Sequence, residues 1–256
     1  MKFVIFKKKS LLLGLIWVLV LVAATVSVGA SGAAAVWGGK TTRQIPIYCV
    51  GTDTNKVAIS FDASWGAEKT PQILKIVEEF DIRANFFAVG FWAEKYPDEL
   101  KALSDSGRFE IGTHSNTHPD MTKLSADKMR LELTASIGTI KSVTGKEIDL
   151  FRPPYGAYSD TLLNVAKELN LYTIQWDVDS LDWKGLSSAE IANRVVSQSK
   201  SGSIILLHND GEHTVQALPA IIEGIRNKGL DFTTIGELIY RDKYTIDHTG
   251  KQIRSK

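Results

Sequence analysis

From Val57 to Leu238 the chain repeats one pattern: a short apolar run, a polar turn, then a stretch with helical periodicity. Apolar runs fall at Val57–Phe61, Ala84–Val89, Phe109–Gly112, Leu150–Phe151, Tyr172–Trp176, Ser203–Leu207 and Phe232–Ile235. Their length and continuous apolarity suit strands buried on both faces. The segments between them carry helix signals. Thr70–Pro71 puts a proline in a first turn, ahead of Ile73, Leu74, Ile76, Val77 and Phe80 on one face. A helix from Pro97 stops at Gly107, Ser125 caps one that ends at Gly145, and Ser159 caps the next. Ser187 with Glu190 makes a capping box. Pro219 leaves the start of a helix around Ala217–Asn227 open, and a last helix begins at Gly236. About seven such units dictate an α/β fold with parallel strands surrounded by helices. A closed or incomplete barrel and an open doubly wound sheet both satisfy the pattern. No glycine-rich fingerprint follows the first strand, which removes the main reason to expect a dinucleotide-binding sheet.

The chain is 256 residues long, room for one domain and a targeting segment. Lys2, Lys7, Lys8 and Lys9 precede an uncharged apolar run of 18 residues, Leu11–Val28. That is the lower limit for a membrane span and long for a signal-peptide core. The basic flank belongs in the cytoplasm, so the rest is expected outside. Residues 1–35 are read as a single-pass anchor in the cell membrane; cleavage near Ala30 or Ala35 would instead give a secreted protein. Residues 36–55 read as a linker, 56–240 as the functional domain, and 241–256 as a polar tail that frays. The lone cysteine, Cys49, can form no intrachain disulfide, and its neighbours Ile47 and Tyr48 do not suit lipid attachment. A net charge of +1 gives no electrostatic case for nucleic acid as a partner.

In a parallel barrel, functional residues collect at the C-terminal ends of the strands. Here the first strand runs into Ser60-Phe61-Asp62-Ala63-Ser64 and the third into His114-Ser115-Asn116-Thr117-His118. The fourth leads to Arg152-Pro153-Pro154-Tyr155-Gly156, the fifth to the stretch Trp176–Trp183 with Asp182 inside it, and the sixth to His208-Asn209-Asp210. Singly, each has an ordinary reading. His-x3-His is a metal bite or a coincidence, a lone Asp caps a helix, Arg152 anchors a turn, and His208 is a satisfied core histidine. Together on successive strand ends of one face, they supply the titratable groups that one hydrolytic reaction needs.

This ordered set resembles the polysaccharide deacetylase family (carbohydrate esterase family 4, NodB homology) over about Lys56–Leu238. The first motif, Phe61-Asp62-Ala63-Ser64-Trp65-Gly66, is similar to that of the PdaB-type sporulation branch. The resemblance implies a distorted, incomplete parallel (β/α) barrel of about seven units and an N-deacetylase acting on N-acetylated amino-sugar polymers. Peptidoglycan is favoured because the domain is expected outside the membrane. Carried over residue by residue, Asp62 is the general base and Arg152 its clamp, the Tyr155 amide faces the oxyanion, and His208 is the general acid oriented by Asp182. His114 and His118 hold a divalent metal, zinc or a similar ion. Trp176 and Leu206 line the acetyl pocket, and Trp183 and Tyr155 contact the glycan. One residue departs from the family pattern: the usual third metal ligand, an aspartate, is Ala63. An alanine methyl ligates nothing. The resulting alternative is a glycan-binding or morphogenetic protein that kept the barrel and lost turnover. As a site residue, Asp62 is expected to tolerate replacement by asparagine without loss of stability.

Overall fold

The computed structural model describes residues 43–255. The anchor expected over 1–35, and the linker up to residue 42, lie outside the described residues. Among the described residues, no helix is long and apolar enough to cross a membrane.

The apolar runs become parallel strands. They are β2 (Lys56–Ala63), β3 (Ala84–Ala88), β4 (Phe109–Thr113), β5 (Leu150–Phe151), β6 (Tyr172–Thr173), β7 (Val178–Asp179) and β8 (Ile204–His208). Their order across the sheet is β6-β5-β4-β3-β2-β8-β7, and β9 (Asp231–Phe232) pairs with the start of β2. The sheet is a seven-strand parallel half-barrel, the architecture expected. Its register matters for the site. Asp62 sits beside Phe87 of β3 on one side and beside His208 of β8 on the other.

Strand alternation divides the core. Val57, Ile59, Phe61 and Ala63 of β2 join the larger apolar cluster, with Ile73, Val77, Ile221 and Ile225 from the helices Thr70–Glu79 and Thr214–Asn227. Ala58 faces the other way, into a smaller cluster with Phe87, Leu150, Ile174 and Ile204, stoppered by Ile235 and Leu238. Each fully buried Ile, Leu or Phe stabilises the fold by about 1.5–3 kcal/mol relative to an exposed one, so the sandwich of strands and helices holds without a disulfide.

Helix signals read from sequence hold at atomic detail. Ser125 accepts from the Lys128 amide and Gly145 closes that helix at φ 67. The Ser187–Glu190 capping box is complete. Pro219 lies inside the helix Thr214–Asn227 rather than ahead of it.

Three expectations need correction. The run Tyr172–Trp176 is not one strand: β6 stops at Thr173 on one edge of the sheet, and β7 begins at Val178 on the opposite edge. Residues 174–177 cross the gap that leaves the barrel incomplete, and Asp182 therefore follows β7 rather than the fifth strand. The segment read as linker carries β1 (Cys49–Gly51), and Ile47 bridges Ile174. The C-terminal tail does not fray. It forms β10 (Tyr244–Ile246) and β11 (Lys251–Arg254), which make a second sheet in the order β1-β11-β10. Little apolar burial hid these strands: β10 buries no residue fully and β11 buries only Gln252, so neither carries an apolar pattern.

Candidate active site

The site is built on the β2–β8 register. Asp62 is nearly fully buried, and its Oδ1 accepts from Arg152 Nη1 at 2.8 Å. Arg152 reaches it from the end of β5, fully buried, with its guanidinium 4.2 Å from the centre of the Phe87 ring. Nη2 donates to the Gln175 carbonyl at 3.3 Å, which ties the arginine to the segment crossing the barrel gap. Burial pushes the Asp62 carboxyl up, but the Arg152 charge and hydrogen bond, with His114 and His208 nearby, hold it below its ordinary value. Asp62 is held in its anionic form.

Beside it, His208 Nδ1 bonds Asp182 Oδ1 at 2.7 Å, which leaves Nε2 for the pocket. Asp182 is itself pinned, accepting from the His208 amide at 2.8 Å and from Thr214 Oγ1 at 2.6 Å. Burial lowers the affinity of His208 for a proton, yet the hydrogen bond and charge of Asp182 outweigh it and raise the pKa above the ordinary value of 6.5. An ionised carboxylate and an imidazole that favours its proton thus stand on adjacent strands.

The two further histidines are held toward the neutral form. Burial lowers the pKa of both, that of His118 to about 4. His114 Nδ1 bonds the Arg152 carbonyl at 2.7 Å, so Nε2 faces Asp62 Oδ2, 3.6 Å away. The His118 ring lies 4.9 Å from that of His114 and 4.6 Å from that of Tyr155. Neutral imidazoles suit a metal, but among the described residues no three His, Cys, Asp or Glu side chains converge as a metal-holding group. Ala63 is fully buried in the apolar cluster, on the opposite face of β2 from Asp62. The donors do not fit the three-ligand site usual for catalytic zinc.

A cavity of about 610 Å³ gathers these groups. Asp62, His114, His118 and His208 share it with Tyr155, Trp176, Trp183 and Leu206. Arg152 lies beneath Asp62, and Asp182 behind His208. Every residue assigned from the sequence is therefore in the cavity or one contact from it. A second cavity, about 630 Å³ and lined by Tyr172, Arg241 and Tyr244, holds none of them.

The loops are strained where they meet the cavity. Of seven non-glycine residues with positive φ among the described residues, four are in the loops around it: Ser115, His118, Tyr155 and Leu181. Surrounding bonds fix them. The His118 amide donates to Ser115 Oγ, and Glu132 accepts from the Asn116 and Thr117 amides. Gly156, at φ 64, leaves room for the Trp176 ring: a Cβ there would lie 3.0 Å from it. Sequence reading missed Glu132, Gln175 and Thr214, whose roles depend on contacts between distant segments. It also passed over Trp65 and Asp210, which line the cavity and stood inside or beside recognised motifs.

A parallel half-barrel whose open end joins an arginine-clamped carboxylate to an aspartate-backed histidine defines a class of hydrolytic scaffold. The sequence profile described as polysaccharide deacetylase matches residues 50–174. A peptidoglycan-N-acetylglucosamine deacetylase of Bacillus cereus is 35% identical over 192 residues, spanning 73% of this chain and 70% of the relative. The chain belongs to the polysaccharide deacetylase family, whose enzymes are in general metal-dependent. The structure of a CE4-family pseudoenzyme from Bacillus anthracis superimposes with a TM-score of 0.73 at 32% identity, covering 75% of this chain and 68% of that one. A mutant of that pseudoenzyme, described as having restored enzymatic activity, gives a TM-score of 0.73 at 33% identity, covering 75% and 70%.

Proposed function

We propose that this chain is an N-deacetylase of N-acetylated amino-sugar polymers, with peptidoglycan as the favoured substrate and the domain held outside the cell membrane. The observation that carries it is the pairing of Asp62 and His208 on neighbouring strands, each with its own fixed partner. Asp62 takes a proton from water as the water oxygen attacks the acetyl carbonyl carbon. Arg152 keeps the carboxylate ionised and aimed. The Tyr155 amide is assigned to the developing oxyanion. As the carbon–nitrogen bond breaks, His208 Nε2 delivers a proton to the sugar nitrogen, giving acetate and a free amine. Trp176 and Leu206 line the cavity where the acetyl methyl would sit. His114 and His118 are the residues that would contact a divalent ion, which supplies carbonyl polarisation in this family; their two-donor set does not complete its site. A role in spore formation rests on the form of the first motif.

A second reading has a specific observation behind it. Ala63 stands where the family's third ligand falls, and the chain is similar to a pseudoenzyme as well as to active deacetylases. On that reading the same cavity binds glycan without cleaving it. Acetate release from N-acetylated glycans, measured with zinc, cobalt or manganese added and after chelation, separates the two. Acetate above the buffer control supports the deacetylase. Glycan binding with no acetate under any metal would establish the binding protein.

A further inference from the structure

Trp65 is 62% exposed, among the most exposed large apolar side chains of the described residues, and it belongs to none of the roles assigned so far. Core packing does not account for it. Its contact with Phe91, at 5.4 Å between ring centres, leaves most of the indole in solvent. Nor is it on a loose loop. The carbonyl of Gly66, the next residue, accepts from Trp92 Nε1 at 2.6 Å and from Asn209 Nδ2 at 2.9 Å, and both donor side chains are fully buried. Gly66 has φ 56, a left-handed conformation that favours glycine, and a Cβ there would come within 2.7 Å of Glu68 Oε2. The Ala67 amide donates to that same Glu68 oxygen. The fold thus presents a large flat apolar surface to water from an anchored backbone turn, three residues from the candidate base.

The same turn abuts a carboxylate. Gly66 and Asp210 are close enough that a Cβ on the glycine would lie 3.9 Å from the Asp210 Cβ, and Trp65 and Asp210 line one cavity. Trp183 and Tyr155, 59% and 70% exposed, enter the cavity mouth from the loops after β7 and β5, whereas Trp65 enters from the end of β2. In sheet order β2 stands between β3 and β8, so Trp65 occupies a separate stretch of the rim. A rigid aromatic face with a carboxylate beside it is what a pyranose ring requires: the ring's C–H face packs on the indole, and its hydroxyls donate to the carboxylate.

Granting the glycan-polymer reading above, we infer that Trp65 and Asp210 form a sugar-binding subsite for the unit adjoining the one whose acetyl group enters the pocket. Trp65 supplies stacking and Asp210 accepts hydrogen bonds from hydroxyls. The cavity then selects an internal stretch of polymer over a single sugar, because affinity is shared between adjacent units. Preorganisation by the Gly66 hydrogen bonds means that binding orders little further.

The test uses the full chain and N-acetylglucosamine oligomers of two and five units, titrated by calorimetry. Wild type is expected to bind the pentamer about tenfold more tightly than the dimer, roughly 1.4 kcal/mol. Trp65→Ala and Asp210→Asn should each cut that ratio to about threefold or less, whereas Trp65→Phe, which keeps a flat ring, should retain most of it. A Trp65→Ala ratio equal to that of wild type, or a wild type that binds both oligomers alike, overturns the subsite. Acetate measured in the same samples keeps the two ideas apart. Acetate release with an unaltered ratio removes the subsite and leaves the deacetylase. Length-dependent binding lost in Trp65→Ala, with no acetate from any oligomer, removes the deacetylase and supports the subsite.

Discussion

Arg152 is a fully buried cation, and Asp62 is its ion-pair partner. From sequence, Asp62 looked like a residue whose charge serves function alone, so that asparagine would be tolerated. The geometry reverses that expectation. Asp62→Asn leaves a guanidinium uncompensated on the Phe87 ring, a loss of about 3–5 kcal/mol by the general cost of breaking a buried pair. Urea unfolding at pH 7 should show it, and Asp62→Asn combined with Arg152→Met should lose less than the two single variants summed. Unaltered stability in the single variant would mean that the pair is not formed. Acid should act in the same direction. Because the folded pKa of Asp62 lies below its ordinary value, its contribution is present above about pH 4 and is lost as pH falls through the folded value. His208 behaves oppositely. Its pKa is raised, so its contribution is complete below the ordinary 6.5 and is lost as pH rises through the folded value. If it is the general acid, activity falls along that same alkaline limb. Asp182→Asn removes the main group that raises it, and the limb of the pH–rate profile should move to lower pH. A stationary limb would dissociate Asp182 from the chemistry.

At the level of elements, the strand ends were legible because the longer parallel strands announce themselves as apolar runs, and residues at or just past their C-terminal ends line the cavity. Asp62, His114 and His208 were found that way, and Arg152 past the short run Leu150–Phe151, whose two residues are both large and apolar. β7 was not, since Val178–Asp179 pairs one apolar residue with one charged residue, and only pairing with β8 makes them a strand. Side-chain parity was equally hidden. Ala63 is next to Asp62 in sequence, yet alternation turns its methyl into the cluster with Ala67, Val89 and Trp92. The parity sharpens the consequence of Ala63→Asp. Without a dication, the new carboxylate is buried among apolar groups, and the metal-free variant should unfold with about 1–3 kcal/mol less stability than wild type. Zinc should restore it only by drawing the new carboxylate round the end of β2 to His114 and His118, and zinc is then bound at least about tenfold more tightly than by wild type, roughly 1.4 kcal/mol. Calorimetric zinc titration of chelator-treated protein, with unfolding curves in and out of metal, checks both parts. Equal zinc affinity in the two proteins would show that a carboxylate at this position stays in the apolar cluster, away from His114 and His118.

For the molecule as a whole, the first described strand and the last are neighbours, and this closure was the least legible feature of the fold. Lys251-Gln252-Ile253-Arg254 reads as a polar tail, and its strand character comes from β1 on one side and β10 on the other. The residue that locks it is Gln252, fully buried, whose side chain accepts from the Tyr240 amide and donates to the Tyr240 carbonyl, both at 2.8 Å. Tyr240 in turn donates from its hydroxyl to the Gly51 carbonyl at 2.9 Å, so one buried amide couples the end of the half-barrel domain to its beginning. Gln252→Ala removes a donor and an acceptor and leaves both Tyr240 backbone groups short of partners, a cost of about 1–3 kcal/mol. Gln252→Glu should cost at least as much, because it keeps the acceptor but loses the donor and buries a charge. None of these groups lines the cavity that holds Asp62 and His208. Gln252→Ala should therefore lower the unfolding temperature while acetate release or glycan affinity, normalised to folded protein, stays at the wild-type level. A variant with wild-type stability would return the C-terminal segment to the frayed tail that its composition suggests. A variant of normal stability but altered glycan affinity would mean that the second sheet communicates with the cavity, a coupling that the Gln252–Tyr240–Gly51 bonds do not supply.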